Sequence, residues 1–289
     1  RSVHALAVNA TNKFEETRMN VQKFINASSK DEIIFTKNAT ESINLVASTF
    51  GQFNINEGDE ILITELEHHS NYVPWHYLRE AKKAIIKFAP INDDGDILID
   101  KFKELITPKT KIIAITHLSN VTGTIVPVKE IIEIAKKKNI PVLVDGCQSA
   151  PHIKIDVKDL DCDFYAISCH KVYGPTGVGI LYAKKKWLEK LPPYIGGGGM
   201  ISEVKKDKVT YAPLPEKYEA GTMPTAEVVA FNESIKFMQS VGMENIIKHE
   251  NELTNYALEK MKKINSVNIV GNPKNKAGVI SFTIKGVHP

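Results

Sequence analysis

The sequence predicts an α/β fold built on a mostly parallel central sheet. Short apolar runs rich in β-branched residues alternate with stretches whose apolar residues recur at helical spacing. The runs are nearly continuous in apolar character, as is typical of strands buried on both faces. Polar and ionisable residues follow one run after another, which predicts a ligand site at one edge of the sheet.

The predicted elements alternate along the first two thirds of the chain. In order they are strand EIIFT (32–36), helix ATESINLVASTF, strand EILIT (60–64), helix VPWHYLREAKK, strand AIIKFAPI (84–91), helix IDKFKELI, strand KIIAIT (111–116), helix VKEIIEIAKKKN, strand PVLVD (141–145) and strand DFYAIS (163–168). From Met243 the pattern changes to one long helical stretch, followed by the strand-like runs NIVG and GVISFTI. We therefore expect a large domain over residues 1–240 and a partial small α+β domain over residues 241–289.

The composition is that of a globular protein and limits the function classes. The 289 residues are 43% apolar and 25% charged, with a net charge of +3. Such a mild positive charge does not indicate a nucleic-acid partner, and no apolar run is long enough for a membrane span. Three cysteines without a CxxC pair favour a reducing compartment over a disulfide framework or a zinc site. We expect a cytoplasmic protein, or one in the lumen of a plastid-type organelle.

The two ends of the sequence are unusual. The first residues, RSVHALAVNATNKFEE, lack an initiator Met and the pattern of a signal peptide. The last residues, VISFTIKGVHP, stop just after a strand-like run. We expect further sequence on both sides.

Five polar clusters follow the predicted strands. They are Lys37–Glu41, Glu65–Asn71, His117–Asn120, Asp145–Gln148 and Ser168–Lys171. In open α/β sheets, ligands bind beyond the carboxyl ends of the strands, so these clusters should meet at one site.

Three of these positions are notable for their placement. A carboxylate at the end of a buried strand, such as Asp145, needs a cation or hydrogen-bond donors; it is either a cap or structural ion pair, or the partner of a protonated ring nitrogen or metal. Lys171 is either a surface lysine or a desolvated amine able to form a Schiff base. The start of the helix at Asn38–Glu41 is either an ordinary N-cap or, with Thr40, a phosphate site.

Together these features favour pyridoxal phosphate (PLP) as cofactor. PLP requires a Schiff-base lysine, an acidic partner for its pyridinium nitrogen and a phosphate site. His68 could stack on the ring, and Asn120 and Gln148 could hydrogen-bond its phenolic oxygen. The sequence lacks GxGxxG after a first strand and lacks GxxxxGK[ST], which disfavours dinucleotides and P-loop nucleotides. His68 and His69 are adjacent and form a poor chelating pair, so no metal site is predicted.

A set of ordered motifs resembles a known family. The stretches KNATESINLVA, TELEHHSNYVPW, ITHLSNVTGT, VLVDGCQSAPH, DCDFYAISCHKVYGPTGVGILY, GGGGMI and YEAGT resemble, in order and spacing, class V aminotransferase-like PLP enzymes. Within that family they are similar to the SufS-type (group II) cysteine desulfurases. The resemblance covers essentially the whole chain and implies fold type I of the PLP-dependent transferases.

The resemblance implies a role for each matching residue. Lys171 would carry the cofactor and move protons, and His68 would stack on the ring and act as acid or base. The implied cofactor-binding positions are Ala39, Thr40, His68, Asn120, Asp145, Gln148, Ser168, His170, Lys171 and Thr222. Gly221 and Thr222 match a loop that reaches the phosphate in the neighbouring subunit, which implies a homodimer.

The implied reaction converts L-cysteine to L-alanine and transfers the sulfur as an enzyme persulfide, for iron–sulfur cluster assembly through an acceptor protein of the SufE or SufU kind. The sulfur-accepting cysteine and substrate-carboxylate arginine of the family would fall beyond Pro289. We expect Cys147 and Cys169 to be small packing residues and Cys162 to be buried. Met223 also departs from the family pattern.

Other functions are compatible with parts of the pattern. A selenocysteine lyase or a kynureninase-like lyase would use the same fold and cofactor. A catalytically incomplete PLP-binding module would lack the sulfur-accepting loop. A general α/β ligand-binding protein would use Lys171 only structurally.

Overall fold

The computed structural model describes residues 4–288. The strands are β1 Ile33–Thr36, β2 Glu60–Thr64, β3 Ile85–Ala89, β4 Thr110–Thr116, β5 Val142–Asp145, β6 Phe164–Ser168, β7 Gly179–Ala183, β8 Ile201–Val204, β9 Val209–Tyr211, β10 Val267–Val270 and β11 Ser281–Ile284. The α-helices are α1 Ala5–Phe24, α2 Ala39–Val46, α3 Gln52–Asn54, α4 Val73–Lys82, α5 Ile99–Leu105, α6 Val128–Lys136, α7 Ser149–His152, α8 Val157–Leu160, α9 Lys185–Lys190, α10 Thr225–Val241 and α11 Met243–Met261. Single 3₁₀ turns over His69–Asn71 and Cys169–Lys171 follow β2 and β6.

The central sheet has seven strands in the order β1-β7-β6-β5-β4-β2-β3. Neighbouring strands are parallel except at β7, which runs antiparallel to β1 and β6. The predicted α/β class with a mostly parallel sheet is confirmed. Because β1, β2, β4, β5 and β6 run in one direction, the polar clusters that follow them meet at one edge.

Successive strand residues point to opposite faces of the sheet and pack in two hydrophobic cores, one on each face. Ile33 and Phe35 of β1 pack in the first core and Ile34 in the second. The first core lies under α1, α6 and α10, and the second lies under α2, α4 and α9. Helix α6 shows why these helices dock: its buried residues Val128, Ile131, Ile132 and Ala135 form one stripe.

The predicted strands are buried except for the half-buried Lys111 of β4 and most of β3. Residues of β1, β2, β5 and β6 are all buried. Ile85 and Phe88 of β3 are exposed, so the expectation of burial on both faces is wrong for this strand. The reason is its position at the end of the sheet, beyond β2.

The C-terminal part of the described chain is built differently. Helices α10 and α11 meet at Gly242, whose φ of 85° lies in the region that favours glycine. Strands β10 and β11 form a separate antiparallel pair. The domain boundary near residue 240 stays a prediction. Within residues 4–288, no helix has both the length and the apolar character required to cross a bilayer.

Candidate active site

A cavity of about 270 Å³ opens at the carboxyl edge of the central sheet. Its volume is near the lower end of the range for small-molecule pockets. All of the predicted site residues except Thr222 line it. The lining residues are Asn38, Ala39, Thr40, His68, Ser70, Thr116, Leu118, Asn120, Asp145, Cys147, Gln148, Ser168, His170 and Lys171.

Lys171 lies in the turn that follows β6. Strand β6 ends at Ser168, and the N–H of Val172 bonds the carbonyl of Cys169 at 2.8 Å to close the turn. Gly174 lets the chain leave this turn, because a Cβ there would lie 2.6 Å from the ring of Phe231. The Lys171 side chain is half-buried. Its ammonium has no hydrogen-bond or ion-pair partner within residues 4–288.

Asp145 ends β5 in the middle of the sheet. It pairs in register with Thr116 of β4 and Ala166 of β6 and is 4% exposed. One carboxylate oxygen accepts a hydrogen bond from the N–H of Cys147 at 3.0 Å. In the described part of the chain no lysine or arginine forms an ion pair with it. A buried carboxylate without a cation therefore faces the cavity.

Helix α2 begins at the cavity wall. The Asn38 side chain caps it by accepting from the N–H of Glu41 at 2.9 Å, and the N–H of Ala39 donates to the Ser168 hydroxyl at 3.0 Å. Gly179 of β7 lets Asn38 pass close to the sheet, because a Cβ at this position would lie 2.5 Å from Asn38 Cα. The exposed Thr40 and the positive end of the helix dipole make this wall suitable for an anion.

His68 is positioned by its own local turn. Its Nδ1 accepts the N–H of Ser70 at 3.1 Å and caps the turn His69–Asn71. The Ser70 hydroxyl lies 3.1 Å from the same Nδ1 and 2.7 Å from the Thr40 hydroxyl. Since a backbone N–H can only donate, the neutral His68 ring carries its proton on Nε2.

Three buried polar residues below the cavity form a chain that the sequence did not reveal. Ser149 donates to the carbonyl of Gly146 at 3.1 Å, so the Tyr165 hydroxyl donates to Ser149 at 2.6 Å. His117 Nδ1 then donates to Tyr165 at 2.9 Å. Burial lowers the pKa of His117 to about 4, which keeps its ring neutral. His117, which belongs to the polar cluster after β4, thus does not line the cavity, but its backbone N–H donates to the carbonyl of Asp145 at 2.9 Å.

The three thiols are all buried, as expected. Cys147 lines the cavity at 8% exposed, and Cys162 and Cys169 are fully buried. Burial raises the pKa of each thiol, and Asp145 raises that of Cys147 further. A thiol with a raised pKa is a poor nucleophile at neutral pH.

Thr222 lies apart from the cavity. It lines a groove between α1 and the glycine-rich loop, together with Gly198, Gly221 and Met223. Within the described chain, Thr222 and Lys171 therefore do not line the same cavity.

The sequence profile of the aminotransferase class-V family matches residues 1–289. The chain belongs to this family. A protein of Halalkalibacterium halodurans named probable cysteine desulfurase is 47% identical over the whole chain, which spans 71% of that relative. A Staphylococcus aureus protein of the same name is 48% identical, and the chain spans 70% of it.

Solved structures of cysteine desulfurases have the same fold. The Escherichia coli cysteine desulfurase CsdA superposes with a TM-score of 0.93 at 35% identity, over 100% of this chain and 72% of that one. The cysteine desulfurase of Thermococcus onnurineus gives a TM-score of 0.93 at 36% identity, over the same shares of the two chains. The class-V resemblance predicted from the motifs is confirmed.

Proposed function

We propose that this protein is a PLP-dependent cysteine desulfurase of the SufS type, which takes sulfur from L-cysteine and releases L-alanine. The observation that carries the proposal is one cavity lined by both Lys171 and Asp145, neither of which forms an ion pair with the other or with another described residue. Membership of the class-V family and two relatives named probable cysteine desulfurase support it.

The residues present fit PLP. Burying an isolated carboxylate is costly, so Asp145 suits a cationic group inside the cavity, as the protonated ring nitrogen of PLP would be. The helix start at Ala39 and Thr40, with Ser168 and His170 beside it, suits the phosphate. Lys171 would hold the cofactor covalently through Nζ. His68, Asn120 and Gln148 would contact the ring from the remaining lining positions.

When bound, PLP withdraws electrons from the substrate carbons and so allows bonds at those carbons to break. The chain's own residues would move the protons. Lys171 Nζ would take the proton from Cα of L-cysteine, and His68 would hold a proton on Nε2 for transfer near the sulfur. The carbon–sulfur bond breaks, a sulfur–sulfur bond forms on an acceptor thiolate, and Cβ gains a proton to give L-alanine.

The test is an assay of alanine release from L-cysteine by PLP-loaded protein. We expect Lys171→Ala to abolish alanine release and the exposed Lys138→Ala to leave it unchanged. Parallel assays with selenocysteine and kynurenine distinguish the two related lyases. Faster turnover of either compound than of cysteine would contradict the proposed substrate.

We also propose a homodimer in which the loop carrying Thr222 completes the site of the neighbouring subunit. Thr222 lines a separate groove and is not among the residues that line the cavity of its own chain, which supports the proposal. Mixed dimers of Lys171→Ala and Thr222→Ala subunits should keep one intact site of two, and so about half of the alanine release per dimer. Full loss in mixed dimers would contradict shared sites.

A second candidate function is a PLP-binding module without desulfurase activity, and the burial of Cys147, the thiol that lines the cavity, favours it. Mass spectrometry of the protein after incubation with PLP and L-cysteine distinguishes the two. Persulfide on Cys147 or Cys169 would exclude the module. Sulfur transfer to an added acceptor of the SufE or SufU kind would place the protein in iron–sulfur cluster assembly in a reducing compartment.

A further inference from the structure

Glu67, directly before His68, is half-buried, and its carboxyl group lies among three hydrogen-bond donors. Its Oε1 accepts hydrogen bonds from the Thr64 hydroxyl at 2.6 Å and from the N–H of Thr116 at 3.0 Å. Its Oε2 accepts from the Asn71 amide at 2.6 Å. One side chain therefore joins the ends of β2 and β4 to the turn His69–Asn71.

The turn His69–Asn71 also holds the His68 ring in position, because the ring caps this turn. The turn closes through the bond from the N–H of Asn71 to the carbonyl of His68 at 2.8 Å. On its other side, Asn71 Oδ1 accepts from the indole N–H of the fully buried Trp75 at 3.3 Å. Glu67 and Trp75 hydrogen-bond to opposite ends of the Asn71 amide. The backbone of His68 is therefore held between Glu67, which precedes it, and Asn71, which bonds its carbonyl.

The charge of Glu67 is sensitive to the cavity. Burial raises its pKa to about 8, the three donors act in the opposite direction, and the nearby Asp145 raises it further. All three neighbours donate to the carboxyl group, which favours its ionised form but does not cancel the larger effect of burial. A cation beside Asp145 would remove part of the repulsion between the two carboxylates.

We propose that Glu67 is a positioning residue, whose carboxyl group fixes the turn after β2 and so sets the His68 ring at the cavity wall. The inference rests on the proposed function, since it is His68 that would contact the cofactor. Glu67 itself does not line the cavity. Its effect on cofactor binding would pass through Asn71 and His68.

The polarity of the Asn71 contact provides a sharp test. In Glu67→Gln, the new amide N–H₂ faces the Asn71 amide N–H₂, and two donors oppose each other. In the double variant Glu67→Gln/Asn71→Asp, the amide of residue 67 donates to the carboxylate of residue 71, which can still accept from Trp75. The matched control is the exposed Glu65→Gln, two residues away.

The experiment measures the dissociation constant of PLP, the near-ultraviolet circular dichroism of bound PLP and the melting temperature for each variant. We expect Glu67→Gln to weaken PLP binding about tenfold and alter the dichroism, because a buried donor pair is left unsatisfied. The double variant should restore both values to near those of the parent, and Glu65→Gln should match the parent throughout.

Two results would overturn the inference. One is parental PLP affinity and dichroism in Glu67→Gln. The other is a double variant that melts like the parent but binds PLP as weakly as Glu67→Gln. Failure of the parent protein to bind PLP would instead contradict the proposed function, so the two failures are distinguishable.

Discussion

Glu219 and Asp145 are buried to the same degree, at 5% and 4% exposed, but their surroundings differ. Glu219 forms a two-pronged ion pair with the fully buried Arg18, at 2.7 and 2.8 Å, and accepts the N–H of Phe35 at 2.8 Å. Asp145 accepts one backbone N–H at 3.0 Å and has no cation within the described chain. The first carboxylate has a cation of the protein as its partner, although burial still raises its pKa, and the second has none.

The difference distinguishes a charge with a structural role, on Glu219, from a charge available to a ligand, on Asp145. Arg18 also donates to the carbonyl of Ile33 at 2.7 Å, so its ion pair ties α1 to β1 and to the segment before Gly221. Asp145 faces a cavity that also holds the unpaired Lys171. A buried charge that the fold leaves uncompensated is where a charged ligand gains most from binding.

We expect the largest change in the free energy of unfolding when the ion pair between Arg18 and Glu219 is broken. Arg18→Ala leaves Glu219 buried without its cation and should lower the free energy of unfolding by about 3–5 kcal/mol. Urea denaturation measures this loss. The double variant Arg18→Met/Glu219→Gln removes both charges and should recover part of it. A loss below about 1 kcal/mol in Arg18→Ala would show that the pair is weakly coupled.

The next largest change is expected in the pH dependence of stability, through the buried neutral ring of His117. Its pKa is about 4 in the folded state and near 6.5 when unfolded, so the unfolded chain binds more protons between these values. This contribution to stability is therefore complete above about pH 6.5 and is lost as the pH falls towards 4, by at most about 3 kcal/mol. Stability curves of the parent and His117→Gln over this range should differ in slope. Parallel curves would contradict a buried neutral ring.

The smallest effect on stability, and the sharpest contrast with Glu219, is expected at Asp145. In Asp145→Asn the amide oxygen can still accept from Cys147, while the uncompensated charge is removed. The free energy of unfolding of the PLP-free protein should not fall, and should rise by up to about 1 kcal/mol. PLP binding should weaken about tenfold or more. Destabilisation as large as that of Arg18→Ala would make Asp145 a structural charge.

The sequence predicted what depends on local pattern. Hydrophobic runs located β1 to β6 except for the edge position of β3, and their polar ends located the residues of the cavity. Helix α1 escaped prediction because its buried face includes Thr17 and Arg18 and so lacks an apolar stripe. The Arg18–Glu219 pair joins residues 201 positions apart, and Glu67 reaches the N–H of Thr116 across 49 positions. No local pattern encodes such contacts.

The position of Thr222 marks a different limit. Its motif YEAGT indicated a cofactor contact, but only the fold shows that Thr222 lines a groove separate from the cavity of the same chain. The orientation of His68 also required the structure, because its tautomer follows from the bond that Ser70 donates.

The central claim is that Lys171 holds PLP in the cavity beside Asp145. The most direct measurement is borohydride reduction of the PLP-loaded protein, followed by peptide mass spectrometry. We expect one phosphopyridoxyl group per chain, located on Lys171 and absent from Lys171→Ala. Modification at another lysine such as Lys37, or none under conditions that saturate a known PLP enzyme, would contradict it.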